Sequence, residues 1–179
     1  NGTYTVGRDA NGQPSGTPLV KVVGDPNPVS VVAWVNEVSI NKLTFRMQWD
    51  GMLGFDVFIF TKRVGDRDLY GGLKGYEAEL KGEVPKGTSA ALFGILGEWI
   101  EDGSFIKLRE ISVSYDIPTK GLLRGLRITA AGRNLLSIDN YSGFDPEVNA
   151  AGQDNAVRGF DFVEVPIPRM FILGLNANF

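Results

Sequence analysis

The fold is decided by the stretch PIPRMFILGLNANF at 166–179. One side of this segment carries the apolar residues Phe171, Leu173, Leu175, Ala177 and Phe179. The other side carries Ile172, Gly174, Asn176 and Asn178. Alternation with a period of two is the pattern of a β-strand that has one face in apolar surroundings. We therefore predict a strand over about 169–179.

The same alternation predicts four further strands, at about 30–38, 43–51, 105–116 and 126–135. Lys107 and Arg109 interrupt the apolar phase of the strand at 105–116, which predicts a β-bulge near Leu108–Glu110. The polar phases of the strands contain Arg46, Gln48, Asp50 and Arg127. We expect these four side chains to face away from lipid.

The connections alternate in length: those at about 39–42 and 117–125 are short, and those at 52–104 and 137–168 are long. Outer-membrane barrels have short periplasmic turns and longer extracellular loops. With Phe179 on the periplasmic side, both long loops lie outside, and residues 1–29 form a further extracellular loop. The fold class predicted is an antiparallel transmembrane β-barrel segment with long extracellular loops.

The spacing of aromatic residues gives a second argument for a membrane strand. Phe105 and Tyr115 are ten positions apart, which is about 33 Å along a strand and about 25 Å of bilayer height at a tilt of ~40°. That height matches the apolar band of a membrane barrel, so we expect these residues to mark its two aromatic borders.

Five strands do not close a membrane barrel, because the smallest have about eight and an open edge in lipid leaves backbone groups unpaired. Further strands must come from upstream sequence or from a partner chain. A secreted β-sandwich carbohydrate-binding module is the alternative, since it also has short alternating strands and surface aromatics. Detergent dependence would distinguish the barrel from the sandwich.

Composition excludes several functions. Cysteine and histidine are both absent, which removes disulfides, Cys/His zinc sites and imidazole-based catalysis, so we expect no enzyme. A net charge of −3 without a basic patch argues against nucleic-acid binding. No cofactor is expected, although loop oxygens are candidate calcium ligands. These are Asp9, Asn11, Asp139, Asn140, Asp145, Glu147, Asp154 and Asn155.

Five motifs occur in a fixed order along residues 24–179: GDPNP at 24–28, FIKLREISVSYDIP at 105–118, GLRITAAGRNLLS at 125–137, YSGFDPEVN at 141–149 and PIPRMFILGLNANF at 166–179. In order and spacing they resemble the C-terminal barrel segment of SusC/RagA-family TonB-linked outer-membrane proteins. Residues 1–23 depart from the pattern, because the acidic loop expected there is missing.

The resemblance implies that the chain supplies about five C-terminal strands of a barrel of roughly 22 strands in the cell outer membrane. It also implies import of glycans or peptides with a SusD-like surface lipoprotein, and a TonB complex acting through an N-terminal plug region that this chain does not contain. A non-transporting surface-assembly barrel of the same family is the alternative.

Three groups of residues are candidate sites. Phe179, with Phe171 and Gly174, resembles the C-terminal signal that barrel-assembly machinery recognises. Tyr141, Phe144, Asp145 and Glu147 form a loop that could contact substrate or a partner, although ordinary turn chemistry also explains such residues. Arg46, Gln48, Asp50 and Arg127 would line the lumen, in contact with a plug, with substrate or with water.

Overall fold

A computed structural model describes residue 10 and residues 22–66, 74–152 and 157–179. The eight strands in these ranges are β1 (Ser30–Ile40), β2 (Leu43–Leu53), β3 (Asp56–Ile59), β4 (Ile100–Asp102), β5 (Phe105–Ile117), β6 (Gly125–Asp139), β7 (Phe160–Asp161) and β8 (Met170–Asn178). The helices are α1 (Phe60–Gly65), α2 (Lys74–Leu80) and α3 (Thr88–Phe93), followed by a 3₁₀ turn at Leu96–Trp99. None of the helices in these ranges is long and apolar enough to cross a membrane.

The five long strands form one open antiparallel sheet in the order β1-β2-β5-β6-β8. They correspond to the five strands expected from alternation, and the predicted antiparallel β fold is confirmed. The observed strands extend beyond several predicted ends: β1 continues to Ile40, β2 to Leu53 and β6 to Asp139. Pairing with the neighbouring strands stabilises these extensions. They were not predicted because apolar and polar residues alternate less regularly there.

Both short connections lie at the same end of the sheet, which we call the short-turn end. Ile40 pairs with Leu43, so β1 and β2 are joined by a two-residue turn in which Asn41 has a φ of 56°. Asparagine tolerates this left-handed conformation better than most residues. The second turn, at 118–124, uses Gly121 with a φ of 86°.

The sheet has two chemically different faces. The apolar face carries an almost continuous apolar surface: Trp34, Val38, Ile40, Leu43, Phe45, Met47, Trp49, Ile106, Leu108, Ile111, Val113, Tyr115, Leu126, Ile128, Phe171, Leu173, Leu175 and Phe179. Most of it is exposed among the described residues: Phe171 and Leu173 are 82% and 81% exposed, and only Leu108, next to the bulge, is buried. Soluble proteins rarely expose so large an apolar patch, and one layer of a β-sandwich would be covered by a second sheet. The single five-stranded layer in the described ranges does not fit the sandwich alternative.

At the other end the long connections fold into a compact unit, which we call the cap (described residues of 54–104 and 140–169). Its small sheet has the order β4-β3-β7, with β3 and β7 parallel. The buried core of the described chain lies here: Phe55, Val57, Ile59, Trp99, Phe105 and Tyr141. The 25–29 segment joins the cap, since the Asp56 N–H donates to the Asp25 carbonyl at 2.8 Å.

The predicted bulge is present, and it corrects the aromatic-border argument. The register of β5 against both neighbours shifts between Leu108 and Glu110, which leaves Arg109 unpaired. Residues on the two sides of the bulge therefore change phase, and Phe105 lies on the face opposite Tyr115. Phe105 is 2% exposed within the cap core. The expectation that it borders the lipid is wrong.

Several sequence-based expectations lie outside the described residues. They include most of the predicted extracellular loop at 1–29 and four of the candidate calcium ligands, which are Asp9, Asn11, Asp154 and Asn155.

Candidate functional site

The polar face of the sheet carries a chain of hydrogen-bonded charges. Arg46 donates to Glu110 at 2.8 Å, and Arg133 donates to the other oxygen of the same carboxylate at 2.9 Å. Gln48 continues the chain between Arg46 and Asp50, at 3.3 and 3.1 Å. Because cationic and anionic groups alternate, the face stays polar without a strong field of either sign.

Nearer the short-turn end, Arg127 donates from two nitrogens to Asp116 at 2.6 and 2.8 Å. The structure thus places all four predicted lumen residues on one face, although only Arg46, Gln48 and Asp50 are connected. Hydroxyl pairs extend the polar surface between these groups, with Ser114 and Thr129 at 2.9 Å.

Next to the cap, two cations of β5 bind the loop that follows β6. Lys107 Nζ donates to Asp145 Oδ1 at 2.5 Å and to Glu147 Oε2 at 2.9 Å. Arg109 donates to Glu147 at 2.5 Å and to Asp50 at 3.0 Å. We call Lys107, Arg109, Asp145 and Glu147 the loop anchor. It joins the sequence motif at 141–149 to the polar face.

The bulge makes the loop anchor possible. In an unbroken strand Arg109 and Glu110 would face opposite sides. The extra residue allows Lys107, Arg109 and Glu110 all to contact partners on the polar face. In the β5–β6 pairing, Leu108 aligns with Leu136 and Glu110 with Arg133. Asn134, with a φ of 52°, therefore lies in the part of β6 that has no register partner opposite the bulge.

Burial and charge compete at Glu147. Burial alone would raise the pKa of this carboxyl, but hydrogen bonds and attraction from Arg109 and Lys107 outweigh it and hold the pKa below its usual range. Glu147 is therefore a carboxylate at neutral pH. Lys107 and Asp145 are both buried, so the anchor is a desolvated ion network whose members depend on each other.

Tyr141 is a second internal attachment of the same loop. It is buried, and its hydroxyl donates to Asp161 at 2.6 Å, while Asp161 also accepts the Thr61 N–H at 2.9 Å. Burial, and then the adjacent Asp161 carboxylate, raise the pKa of the Tyr141 phenol. Phe144, in contrast, is 71% exposed. Of the four loop residues singled out in the sequence, only Phe144 projects freely.

Glu101 connects this loop to the rest of the cap. It accepts the Ser142 N–H at 2.9 Å, the Ser142 hydroxyl at 2.7 Å and the Lys62 ammonium at 3.0 Å. Burial opposes ionisation of Glu101, but these hydrogen bonds lower its pKa. The sequence contained no sign of this role, because Glu101 lies far along the chain from both partners.

The predicted assembly residues lie on β8 and just beyond it. Phe171 and Phe179 extend from the apolar face, at 82% and 77% exposure. Gly174 pairs with Thr129 on the polar face, where an added Cβ would meet Thr129 only at 3.9 Å. Recognition of these residues by assembly machinery stays a prediction.

A cavity of about 490 Å³ opens beside the loop anchor. Its walls are mostly apolar and include Pro26, Pro28, Val31, Met52, Phe55, Pro146 and Val148, with Glu147, Asn149 and Arg158 as polar members. Among the described residues, no group of three or more potential metal-binding side chains comes together. Calcium in the outer loops stays a prediction.

The sequence interpretation missed Lys107, Arg109, Asp161 and Glu101 as organising residues. A signal was available for the first two, since both are cations in what looked like the apolar phase of β5. A charge in an apolar phase indicates either a bulge or a buried ion pair, and here the structure shows both.

The chain is similar in sequence to two receptors of Formosa agariphila. It is 26% identical to TonB-dependent receptor P3 over 96% of this chain and 18% of that protein. It is 24% identical to TonB-dependent receptor P26 over 88% of this chain and 18% of that protein. No family model matches the chain.

Solved structures with the same fold come from a peptide importer. The chain superimposes on the RagAB peptide importer in its open-open state with a TM-score of 0.63 and 18% identity, covering 97% of this chain and 20% of that one. For the RagAB peptide transporter the TM-score is 0.60 at 20% identity, covering 94% of this chain and 20% of that one. The chain spans about a fifth of the length of the proteins it matches.

An uncovered apolar face, a charged opposite face and a folded cap at one end define a segment of an outer-membrane β-barrel. More particularly, the chain is similar in sequence to TonB-dependent receptors and in fold to RagAB, which supports the resemblance to SusC/RagA-type receptors. Its location is the outer membrane.

Neighbouring residues of β5 test which face lines the lumen. Ser112 pairs with Arg46 on the polar face and Val113 with Phe45 on the apolar face. In the full-length receptor in membranes, Ser112→Cys should react with a water-soluble maleimide and Val113→Cys should not. Val113→Cys should react instead with a lipid-soluble maleimide, as its matched control. Equal labelling of both positions by the water-soluble reagent would contradict the assignment.

Proposed function

We propose that the chain forms part of the wall of a transporter that imports peptides or glycans across the outer membrane. In this proposal the cap lies outside and works with a SusD-like surface lipoprotein, while the short-turn end lies in the periplasm, where a TonB complex acts on the whole receptor. The observation that carries the proposal is the continuous polar face of the sheet, opposite a face fit for lipid.

The charge pattern of the polar face is suited to passage. A wall lined by charges of one sign would bind an oppositely charged solute too tightly. Paired charges, such as Arg46 with Glu110 and Arg109 with Asp50, instead leave a hydrated surface with little net attraction for the solute. A pathway must bind solute weakly enough to release it. The paired face meets that requirement for both neutral and charged solutes.

The cavity beside the loop anchor favours peptides within this proposal. Val31, Met52 and three prolines give it walls suited to an apolar amino-acid side chain, with Glu147 as a polar contact. A sugar ring would be better matched by Tyr or Trp faces. The structurally similar RagAB complex is a peptide importer, in agreement with this choice. Phe144 is the exposed loop residue we expect a substrate or partner to meet.

Uptake by cells tests the proposal. Cells that produce the full-length receptor should accumulate a fluorescent peptide mixture faster than cells that lack it, and a protonophore should abolish the difference. A labelled oligosaccharide mixture, tested in parallel, identifies the substrate class. If the assembled receptor increases uptake of neither mixture, import is refuted and the non-transporting barrel of the same family is favoured.

A further inference from the structure

The short-turn end of the sheet exposes cations that no described carboxylate pairs with. Lys120 and Arg124 belong to the turn at 118–124 and are both exposed, with no ion pair to any carboxylate within the described ranges. Leu122, between them, is 88% exposed. A turn with two cations and one fully exposed leucine is amphipathic.

A backbone hydrogen bond fixes Arg124 at the end of β8. The Arg124 N–H donates to the Asn178 carbonyl at 2.8 Å, one residue out of the register in which Gly125 pairs with Asn178. Arg124 therefore lies just beyond the sheet, against the last residues of β8 and next to the end of the apolar face. Tyr115 and Phe179, at 46% and 77% exposure, are the aromatic residues of that face at this end.

The neighbouring charges do not cancel these cations. Asp116 lies on the polar face, where Arg127 holds it with two hydrogen bonds. The adjacent turn adds a third cation, Lys42, whose carbonyl accepts the Asp116 N–H at 2.8 Å. The short-turn end of the sheet therefore carries three cations, Lys42, Lys120 and Arg124, that form no ion pair with a carboxylate of the described residues.

We propose that Lys120, Leu122 and Arg124 bind the headgroup of an anionic phospholipid. The two cations contact the lipid phosphate, and Leu122 enters the upper acyl region. The rings of Tyr115 and Phe179 lie at the boundary between the two, as aromatic residues do in membrane proteins. Charge complementarity selects an anionic lipid, because a zwitterionic headgroup brings its own ammonium to offset the phosphate.

Native mass spectrometry of the full-length receptor in detergent tests the site, with phosphatidylglycerol and phosphatidylcholine as the two lipids. The wild-type receptor should retain phosphatidylglycerol in preference to phosphatidylcholine. Because a cation near a lipid surface contributes roughly five-fold, the double variant Lys120→Gln and Arg124→Gln should bind phosphatidylglycerol about twenty-five-fold more weakly. Leu122→Ser should weaken the binding of both lipids by the same factor.

Two further variants separate the site from folding and from general charge. Lys120→Arg with Arg124→Lys keeps both cations and should bind as the wild type does. Lys81→Gln with Lys86→Gln removes two cations from the cap, between α2 and α3, and should also leave lipid binding unchanged. Wild-type affinity in the Lys120/Arg124 glutamine variant, equal retention of the two lipids, or displacement of phosphatidylglycerol by inorganic phosphate would each overturn the proposal.

Discussion

Replacing Lys107 with methionine is expected to release the 141–149 loop from the sheet. The substitution keeps most of the side-chain volume but leaves the buried carboxylate of Asp145 without its cation. Removing one partner of a buried ion pair costs about 3–5 kcal/mol. Hydrogen exchange in the full-length receptor should show this destabilisation at the amides of Val148 and Ala150, whose N–H groups donate to the carbonyls of Asp145 and Phe160. Their protection should fall by about two to four orders of magnitude.

The same substitution at an exposed lysine is the control. Lys81 forms an i,i+4 pair with Glu77 in which the side chains are 62% and 52% exposed, and such pairs contribute about 0.3–0.5 kcal/mol. Lys81→Met should leave the 141–149 amides unchanged. Adding Asp145→Asn to Lys107→Met should restore part of the protection, since the uncompensated charge is then gone. Full protection in Lys107→Met alone would mean that the anchor does not hold the loop.

The sheet could be predicted from the sequence because each strand carries its own signal. Alternation in β2 and β8 depends on which face meets an apolar environment, and that information is local. The short connections at about 39–42 and 117–125 were also predictable from the sequence, whereas the register between the strands was not predicted. These local features fixed the fold class and the polar set Arg46, Gln48, Asp50 and Arg127, all of which share one face.

The cap could not be predicted in the same way. Strand β3 has four residues and pairs with the two-residue strand β7, which lies about a hundred positions away. Strands this short show no periodicity, and only tertiary contacts stabilise them. The loop anchor had the same difficulty, because Asp145 and Glu147 look like ordinary turn residues until Lys107 and Arg109 are placed opposite them.

Phe105→Ala is expected to detach the cap from the sheet. Phe105 is the residue of β5 that enters the cap core, where its ring meets Phe55 edge to face at 6.2 Å. Lys107 Nζ lies 4.8 Å from the ring centroid, so the ring also supports the loop anchor. Truncation of a buried phenylalanine to alanine costs about 3–5 kcal/mol. The Gly103 amide, which bonds to the Phe55 carbonyl, should lose about two or more orders of magnitude of exchange protection.

Phe171→Ala is the matched control, since it makes the same truncation on the apolar face, where the ring is 82% exposed and faces lipid. It creates no cavity in the cap, so exchange at Gly103 should stay as in the wild type. Comparison of the two variants also tests whether Phe105 lies at the lipid border, as the aromatic spacing predicted, or in the cap core, as the bulge places it. If Phe105 bordered the lipid, as ten-residue spacing from Tyr115 predicted, both variants would leave the cap equally protected. A large loss of exchange protection in Phe105→Ala alone is the result that the bulge requires. The extra residue, Arg109, shifts the alternation of β5 and so places Phe105 on the face that meets the cap core.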